Sequence, residues 1–198
     1  MITGIYQAAA ILIVVVAFYT LDSLLISRYD RQRQAQGSGR SWEFTIVALT
    51  MVALMVVQPI AWPWLGIYTA AWWGACIQII GLALIIGALI LQTWARVHLR
   101  QFYAERVEIQ PQHTVVDTGP YAHVRHPFFT SLFVFVIGLL LLNPSLLTLL
   151  VVIYTFWDFS RAARQEEALL SENLPGYAEY MAHTPRFIPR IRKSGGDE

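Results

Sequence analysis

The residues able to do chemistry in this chain lie in two short stretches. Residues 96–126 hold four of the five histidines (His98, His113, His123 and His126) and four arginines, Arg96, Arg100, Arg106 and Arg125. From Phe159 onward come Arg161, Arg164, Glu166 and Glu167, and later Thr184-Pro-Arg-Phe-Ile-Pro-Arg. Arg125-His126-Pro127 joins a guanidinium and an imidazole to a proline suited to the first position of a helix. Free N–H groups at such a start, together with Arg125, make an anion site. The same arginine also reads as an anchor at a membrane surface. Glu166-Glu167 reads either as a pair of site carboxylates or as a solvated helix face. His123 and His126 would be half of a metal site, but no carboxylate or cysteine completes the set within that stretch, so no metal is expected.

Hydropathy sets the elements that must position these groups. Of 198 residues, 56% are hydrophobic and only 14% charged, against about 25% charged in a soluble domain. No Asp, Glu, Lys or Arg occurs in residues 44–95, a run of 52, or in residues 126–157, a run of 32. A soluble chain of this size has no interior large enough for both, which makes this a multi-span membrane protein. A net charge of +1 and a single lysine, Lys193, leave no basic face for nucleic acid. The lone cysteine, Cys76, excludes an intrachain disulfide and a thiolate metal cluster, and is expected to be a small buried residue. Gly74, Gly81 and Ala88, seven apart, form a stripe of small residues on which another helix can pack closely.

A crossing needs about 20 apolar residues. Residues 4–26 form the first span, with Asp22 near its far end. No positive charge precedes it and no small-residue cleavage site follows, so it is read as a retained span rather than a signal peptide. The 52-residue run would reach about 78 Å as one helix. It divides at Gln58-Pro59 and Trp62-Pro63-Trp64-Leu65-Gly66 into spans at about 43–57 and 68–94. The last run divides at Asn143-Pro144 into short spans at about 128–142 and 145–159. The expected fold is all-α and polytopic, with about five transmembrane helices, the last two a short helical hairpin. A cytoplasmic connection and a C-terminal helix complete it, the latter interrupted by Pro175-Gly176 within the helically spaced Leu170, Leu174, Tyr177 and Met181. Residues 1–94 supply the first three spans, and residues 95–198 carry the polar groups, within one membrane domain. Arginines gather in 28–40, 96–125 and the tail and are absent from the two intervening turns, which places the N-terminus outside and the polar groups in the cytoplasm. Asp22 and Asp158, near span ends, must pair or reach water; Arg161 or Arg164 is a local partner for Asp158.

At Gly119-Pro-Tyr-Ala-His-Val-Arg-His-Pro-Phe-Phe the chain resembles the isoprenylcysteine carboxyl methyltransferase and phospholipid methyltransferase superfamily, whose pattern is Gly-x-Tyr-x-x-x-Arg-His-Pro-x-Tyr. The resemblance continues in Asn143-Pro144, in Arg161-x4-Glu166-Glu167-x9-Tyr177-x-x-Tyr180 and in Arg186-Phe-Ile-Pro189, and covers about residues 95–190. It implies an integral membrane methyltransferase that uses S-adenosylmethionine, with the cofactor pocket capped by the connection and the tail. Carried over by position, His113, Val116, Gly119, Tyr121, His126, Pro127, Glu166 and Glu167 resemble the cofactor wall. Arg125 and Arg161 resemble the arginines beside the acceptor, with Glu167 joining them as a catalytic candidate. The implied acceptor is a lipophilic molecule entering from membrane lipid. A prenylcysteine-like carboxylate, held by an arginine fork, comes first. A phospholipid amine, with Glu167 as base, comes second.

Four positions depart from the family pattern: Phe129 for tyrosine, Ser131 for glycine, Arg100 for the glycine after Leu99, and Leu174-Pro175-Gly176 for Phe-Gly. Membrane enone and sterol reductases that use NADPH share the Arg-His-Pro region but follow it with Asn-Tyr, where this chain has Phe128-Phe129. A non-catalytic membrane scaffold that keeps the fold is the remaining reading.

Overall fold

The computed structural model describes residues 1–29, 42–68, 71–99 and 115–190. Among the described residues six α-helices run in the order α1 (Gly4–Tyr29), α2 (Trp42–Ala61), α3 (Trp72–Leu99), α4 (Pro127–Leu142), α5 (Leu146–Asn173) and α6 (Tyr177–His183). Short 3-10 turns occupy Pro63–Leu65 and Gly119–Ala122. Among the described residues no strand forms; Gly66 and Ser145 share one isolated antiparallel bridge. Helices α1, α3 and α5 are long and apolar enough to cross a membrane, and α2 and α4 are shorter apolar helices.

The breaks fall where the chain cannot continue a helix. Pro63 opens the turn after α2, and Pro127 takes the first position of α4. Ser145 caps α5, its hydroxyl accepting from the Thr148 N–H at 3.2 Å, a bond that satisfies one of the free donors of the first turn. The fifth helix continues past its short span into the polar tail, as expected. It runs unbroken for 28 residues, about 42 Å, because no glycine or proline interrupts it before Pro175-Gly176. Only its first half, to about residue 159, is apolar; the polar half carries Arg161, Glu166 and Glu167 beyond the apolar layer. Gly176, at φ 84°, supplies the left-handed turn into α6 that a side chain would resist. Leu170, Leu174 and Tyr177 then close into a small cluster with Val115, Tyr180 and Met181.

The main core joins Ile11, Val15 and Phe18 of α1, Met55 of α2, Ile85 and Ala88 of α3, and Phe135, Val136, Leu139 and Leu142 of α4. Outward-facing Ile13, Leu24, Ile80, Ile90 and Ile153 are more than half exposed, a surface that water would drive to aggregate and hydrocarbon accepts. The small-residue stripe is buried, and its partner is α4. A Cβ on Gly81 would lie 2.7 Å from the Gly138 carbonyl oxygen, and one on Gly138 would lie 2.8 Å from that of Gly81. Cys76 corrects the expectation of burial. It is exposed, since two residues past Gly74 is about 200° around the helix.

A buried amide network ties the helices at the end away from the charged groups. Asn143 Nδ2 donates to Gln58 Oε1 at 2.9 Å and to Thr148 Oγ1 at 3.1 Å, while its Oδ1 accepts from Gln7 Nε2 at 3.1 Å. Gln78 Nε2 donates to the Leu142 carbonyl at 3.1 Å. In hydrocarbon such groups must find partners inside the protein.

Candidate functional site

Glu167 is the centre of the polar assembly. It sits on the polar half of α5, its side chain only 4% exposed, facing the start of α4 and the segment after α6. Arg125 Nε donates to its Oε1 at 2.9 Å, His126 Nε2 lies 3.1 Å from the same oxygen, and Arg186 Nε lies 3.0 Å from both carboxylate oxygens. Burial alone would raise the Glu167 carboxyl. Hydrogen bonds from His126, Arg186 and Arg125 outweigh it and hold the group far below the usual carboxylate range. Glu166, one residue along, behaves oppositely. Its Oε2 lies 3.6 Å from His126 Nδ1, and burial pushes its carboxyl up, against the pull of His126 and with the help of Glu167.

The segment after α6 is laced to the start of α4. The Arg125 N–H donates to the Pro185 carbonyl at 2.8 Å, the His126 N–H to the Arg186 carbonyl at 3.1 Å, and Thr130 Oγ1 to the Phe187 carbonyl at 2.9 Å. Arg125 Nη1 donates to the Met181 carbonyl at 2.8 Å and to the Thr184 carbonyl, satisfying oxygens that the end of α6 leaves free. Tyr180 adds a bond from its hydroxyl to the Tyr121 carbonyl at 2.7 Å.

A single aromatic layer separates this assembly from the apolar interior. The His126 ring stacks on Phe129 at 5.2 Å and 3°, and Phe129 meets Phe159 edge-on at 5.3 Å. Phe159 and Phe128 line a mostly apolar cavity bounded by Val15 and Phe18 of α1, Met51 and Met55 of α2, Leu139 of α4 and Val151 of α5. At its polar edge Asp22 accepts from Arg96 Nε at 2.9 Å and from Gln92 Nε2 at 3.0 Å, while the Arg96 guanidinium lies 4.1 Å from the centre of the Phe128 ring. The pairing that Asp22 requires inside a membrane thus comes from α3.

The predicted site residues divide into two groups. Arg125, His126, Glu166 and Glu167 converge, and Pro127 lies buried beneath them as the first residue of α4. Tyr121 is buried beside them through Tyr180. Gly119 stands at φ 59°, where a Cβ would overlap the His98 ring, so glycine is required there. Val116 is half-buried at the entry to that turn. Arg161 does not join them. It is exposed on α5, its guanidinium 6.0 Å from the Trp157 ring centre, because six residues from Glu167 is about 240° around the helix. His113 lies outside the described residues. Arg186 received no role from sequence beyond its place in a motif; its nearness to Glu167 has no local signal, since 19 residues and a helix break separate them. Among the described residues no group of three His, Cys, Asp or Glu side chains could hold a metal ion.

Residues 79–172 match the sequence model of the isoprenylcysteine carboxyl methyltransferase family. The fold matches the solved structure of a eukaryotic intramembrane Ras methyltransferase with a TM-score of 0.64 at 23% identity, over 90% of this chain and 67% of that one. Rat protein-S-isoprenylcysteine O-methyltransferase is 29% identical over 158 residues, 77% of this chain and 53% of that protein. Over residues 79–172 the chain is similar to the isoprenylcysteine carboxyl methyltransferase family, and its fold is like that of the Ras methyltransferase. Two other similar proteins are a nickel-cobalt-cadmium resistance protein of Alcaligenes xylosoxydans xylosoxydans, 35% identical over 78 residues, and a cobalt-zinc-cadmium resistance protein of Cupriavidus metallidurans, 32% identical over 85 residues. They align over 39% and 42% of this chain, and the chain spans 37% and 39% of their lengths. The long apolar helices and the match to the fold of an intramembrane enzyme agree in making this an integral membrane protein. Of the motifs that carry the resemblance, Arg125-His126, Glu166-Glu167 and Arg186 meet at Glu167, whereas Asn143 and Arg161 lie elsewhere.

Proposed function

We propose that this protein transfers a methyl group from S-adenosylmethionine to the carboxylate of a lipophilic, prenylcysteine-like acid, with the N-terminus outside and the site on the cytoplasmic face. The observation that carries this reading is the single aromatic layer, Phe129 and Phe159, between the Glu167 assembly and the apolar cavity. An amphiphile with its tail among Val15, Met55 and Leu139 brings its head to that layer. A charged cofactor reaches the other side from water.

The residues present fit the cofactor. Glu166 offers a one-third exposed carboxylate to an ammonium or to ribose hydroxyls, and the turn at Gly119–Ala122, with Pro120 and Tyr121 buried, walls the site. When bound, S-adenosylmethionine supplies a methyl group made electrophilic by its sulfonium. A carboxylate acceptor is ionised at neutral pH, so the protein need not remove a proton; its work is positioning and water exclusion. Glu167 suits that division of labour. Held by two arginines and a histidine, it is a poor base and a firm brace. Arg161, exposed on α5, stays available to an acceptor approaching from the surface.

One observation favours an amine acceptor as a second reading. Burial raises the Glu166 carboxyl, and a carboxylate so placed can take a proton from a lipid ammonium.

Calorimetric titration of the detergent-purified protein with S-adenosylhomocysteine, with NADPH in parallel, tests the proposal. Micromolar binding of the first alone supports it, and methyl transfer to acetylated farnesylcysteine rather than to phosphatidylethanolamine then selects the acid. Binding of NADPH moves the protein to the reductases, and binding of neither leaves a scaffold.

A further inference from the structure

The two arginines on Glu167 are not equivalent. Arg125 is the more enclosed of the two: its side chain is 10% exposed, Nε is on Glu167, and Nη1 serves two carbonyls at the end of α6. Arg186 is 34% exposed and meets Glu167 through Nε and Nη2, one edge of its planar fork. Its Nη1 edge, turned away from Glu167 by that geometry, has no hydrogen-bond partner among the described residues.

The charges around it do not cancel. Arg125 and Arg186 bring two fixed cations to one firmly ionised carboxylate, Glu167. The other acid in the assembly, Glu166, sits on His126 rather than on Arg186, and burial disfavours its ionised form. The location adds a direction. Phe187, the next residue, packs 5.0 Å from Phe133 and 6.0 Å from His126 in the aromatic layer, while Ile188 is 80% exposed. Arg186 therefore stands where the polar assembly meets the apolar boundary.

We propose that Arg186 binds a ligand carboxylate through its outward edge while its inner edge fixes Glu167. This deepens the methyltransferase reading and rests on it. Two carboxylates fit: that of the lipophilic acceptor and that of the amino-acid end of S-adenosylmethionine. A guanidinium whose other edge is locked on Glu167 is preorganised, so it gains affinity without the ordering cost of a free side chain.

The test compares wild type, Arg186→Ala and Arg186→Lys as full chains in detergent. It measures KM and kcat for acetylated farnesylcysteine, and calorimetric affinity for S-adenosylhomocysteine and for methylthioadenosine, which lacks the carboxylate. If the acceptor is held, Arg186→Ala raises its KM about tenfold or more while S-adenosylhomocysteine affinity holds. If the cofactor is held, S-adenosylhomocysteine affinity falls by a similar factor and methylthioadenosine affinity does not. Arg186→Lys recovers part of either loss and reads the same split if the alanine variant does not fold. Any other pattern overturns the proposal, including KM and both affinities within twofold of wild type, or losses that fall on kcat alone or on both nucleosides equally. Wild-type protein that binds neither nucleoside overturns the methyltransferase reading, and this inference with it.

Discussion

Arg125 donates to Glu167 at 2.9 Å and, from the same guanidinium, to the carbonyls of Met181 and Thr184. One side chain therefore fastens the start of α4 to α5 and to the end of α6. Its removal leaves two carbonyl oxygens without their donor and Glu167 short of one cation. Arg125→Ala is expected to lose about 1.5–3 kcal/mol of stability, the range for charged hydrogen bonds, read as a lower unfolding midpoint in detergent. Lysine cannot reach three acceptors in two directions, so Arg125→Lys should recover less than half. A wild-type midpoint for Arg125→Ala would remove it from this role.

Asp22 and Arg96 join α1 to α3 beside the cavity, with side chains 12% and 3% exposed. Taking away one partner leaves a charge in a medium that solvates it poorly. Asp22→Ala is expected to cost about 3–5 kcal/mol, and the pair Asp22→Asn with Arg96→Met less than either single change. A double-mutant cycle of thermal unfolding measures the coupling. Additive effects would show that the pair is not a unit.

The two neighbouring glutamates should give opposite pH dependences. Glu167 is depressed in the folded state, so its contribution is full above its ordinary value of 4.5 and is lost as pH falls below it. Glu166 is raised, so its contribution is greatest at low pH and declines as pH rises through its folded value. Unfolding midpoints measured from pH 3 to pH 8 should show Glu167→Gln flattening the acid limb. Glu166→Gln should stabilise the protein near neutrality and change little at the acid end. The same response from both variants would contradict the assignment.

Gly81 and Gly87 lie on one helix in different surroundings. A Cβ at Gly81 meets the backbone of α4, whereas at Gly87 nothing lies within 4 Å. Gly81→Ala should lose about 1–3 kcal/mol through overpacking and Gly87→Ala should lose nothing, each measured by thermal unfolding. Equal tolerance at both positions would mean that α3 and α4 do not touch there.

The sequence alone determined the apolar helices and their order, because hydrocarbon demands long charge-free runs and prolines mark where they stop. It also determined which motifs gather at the polar end: Arg125-His126-Pro127 and Glu166-Glu167 are each local, and each was legible from residue type and spacing. The stripe of Gly74, Gly81 and Ala88 announced a close contact without naming Gly138 as its partner. Tertiary structure alone decided the rest. The helical period sets Arg161 and Cys76 on faces away from Glu167 and Gly74, but that those faces are exposed depends on where the neighbouring helices pack. The packing joined Asp22 to Arg96 across 74 positions, and it set Arg186 on Glu167 beyond a glycine turn. Local pattern records which face a residue occupies, but partners on different elements are chosen by how the helices pack. The network around Glu167 exists only once α4, α5 and the segment after α6 meet.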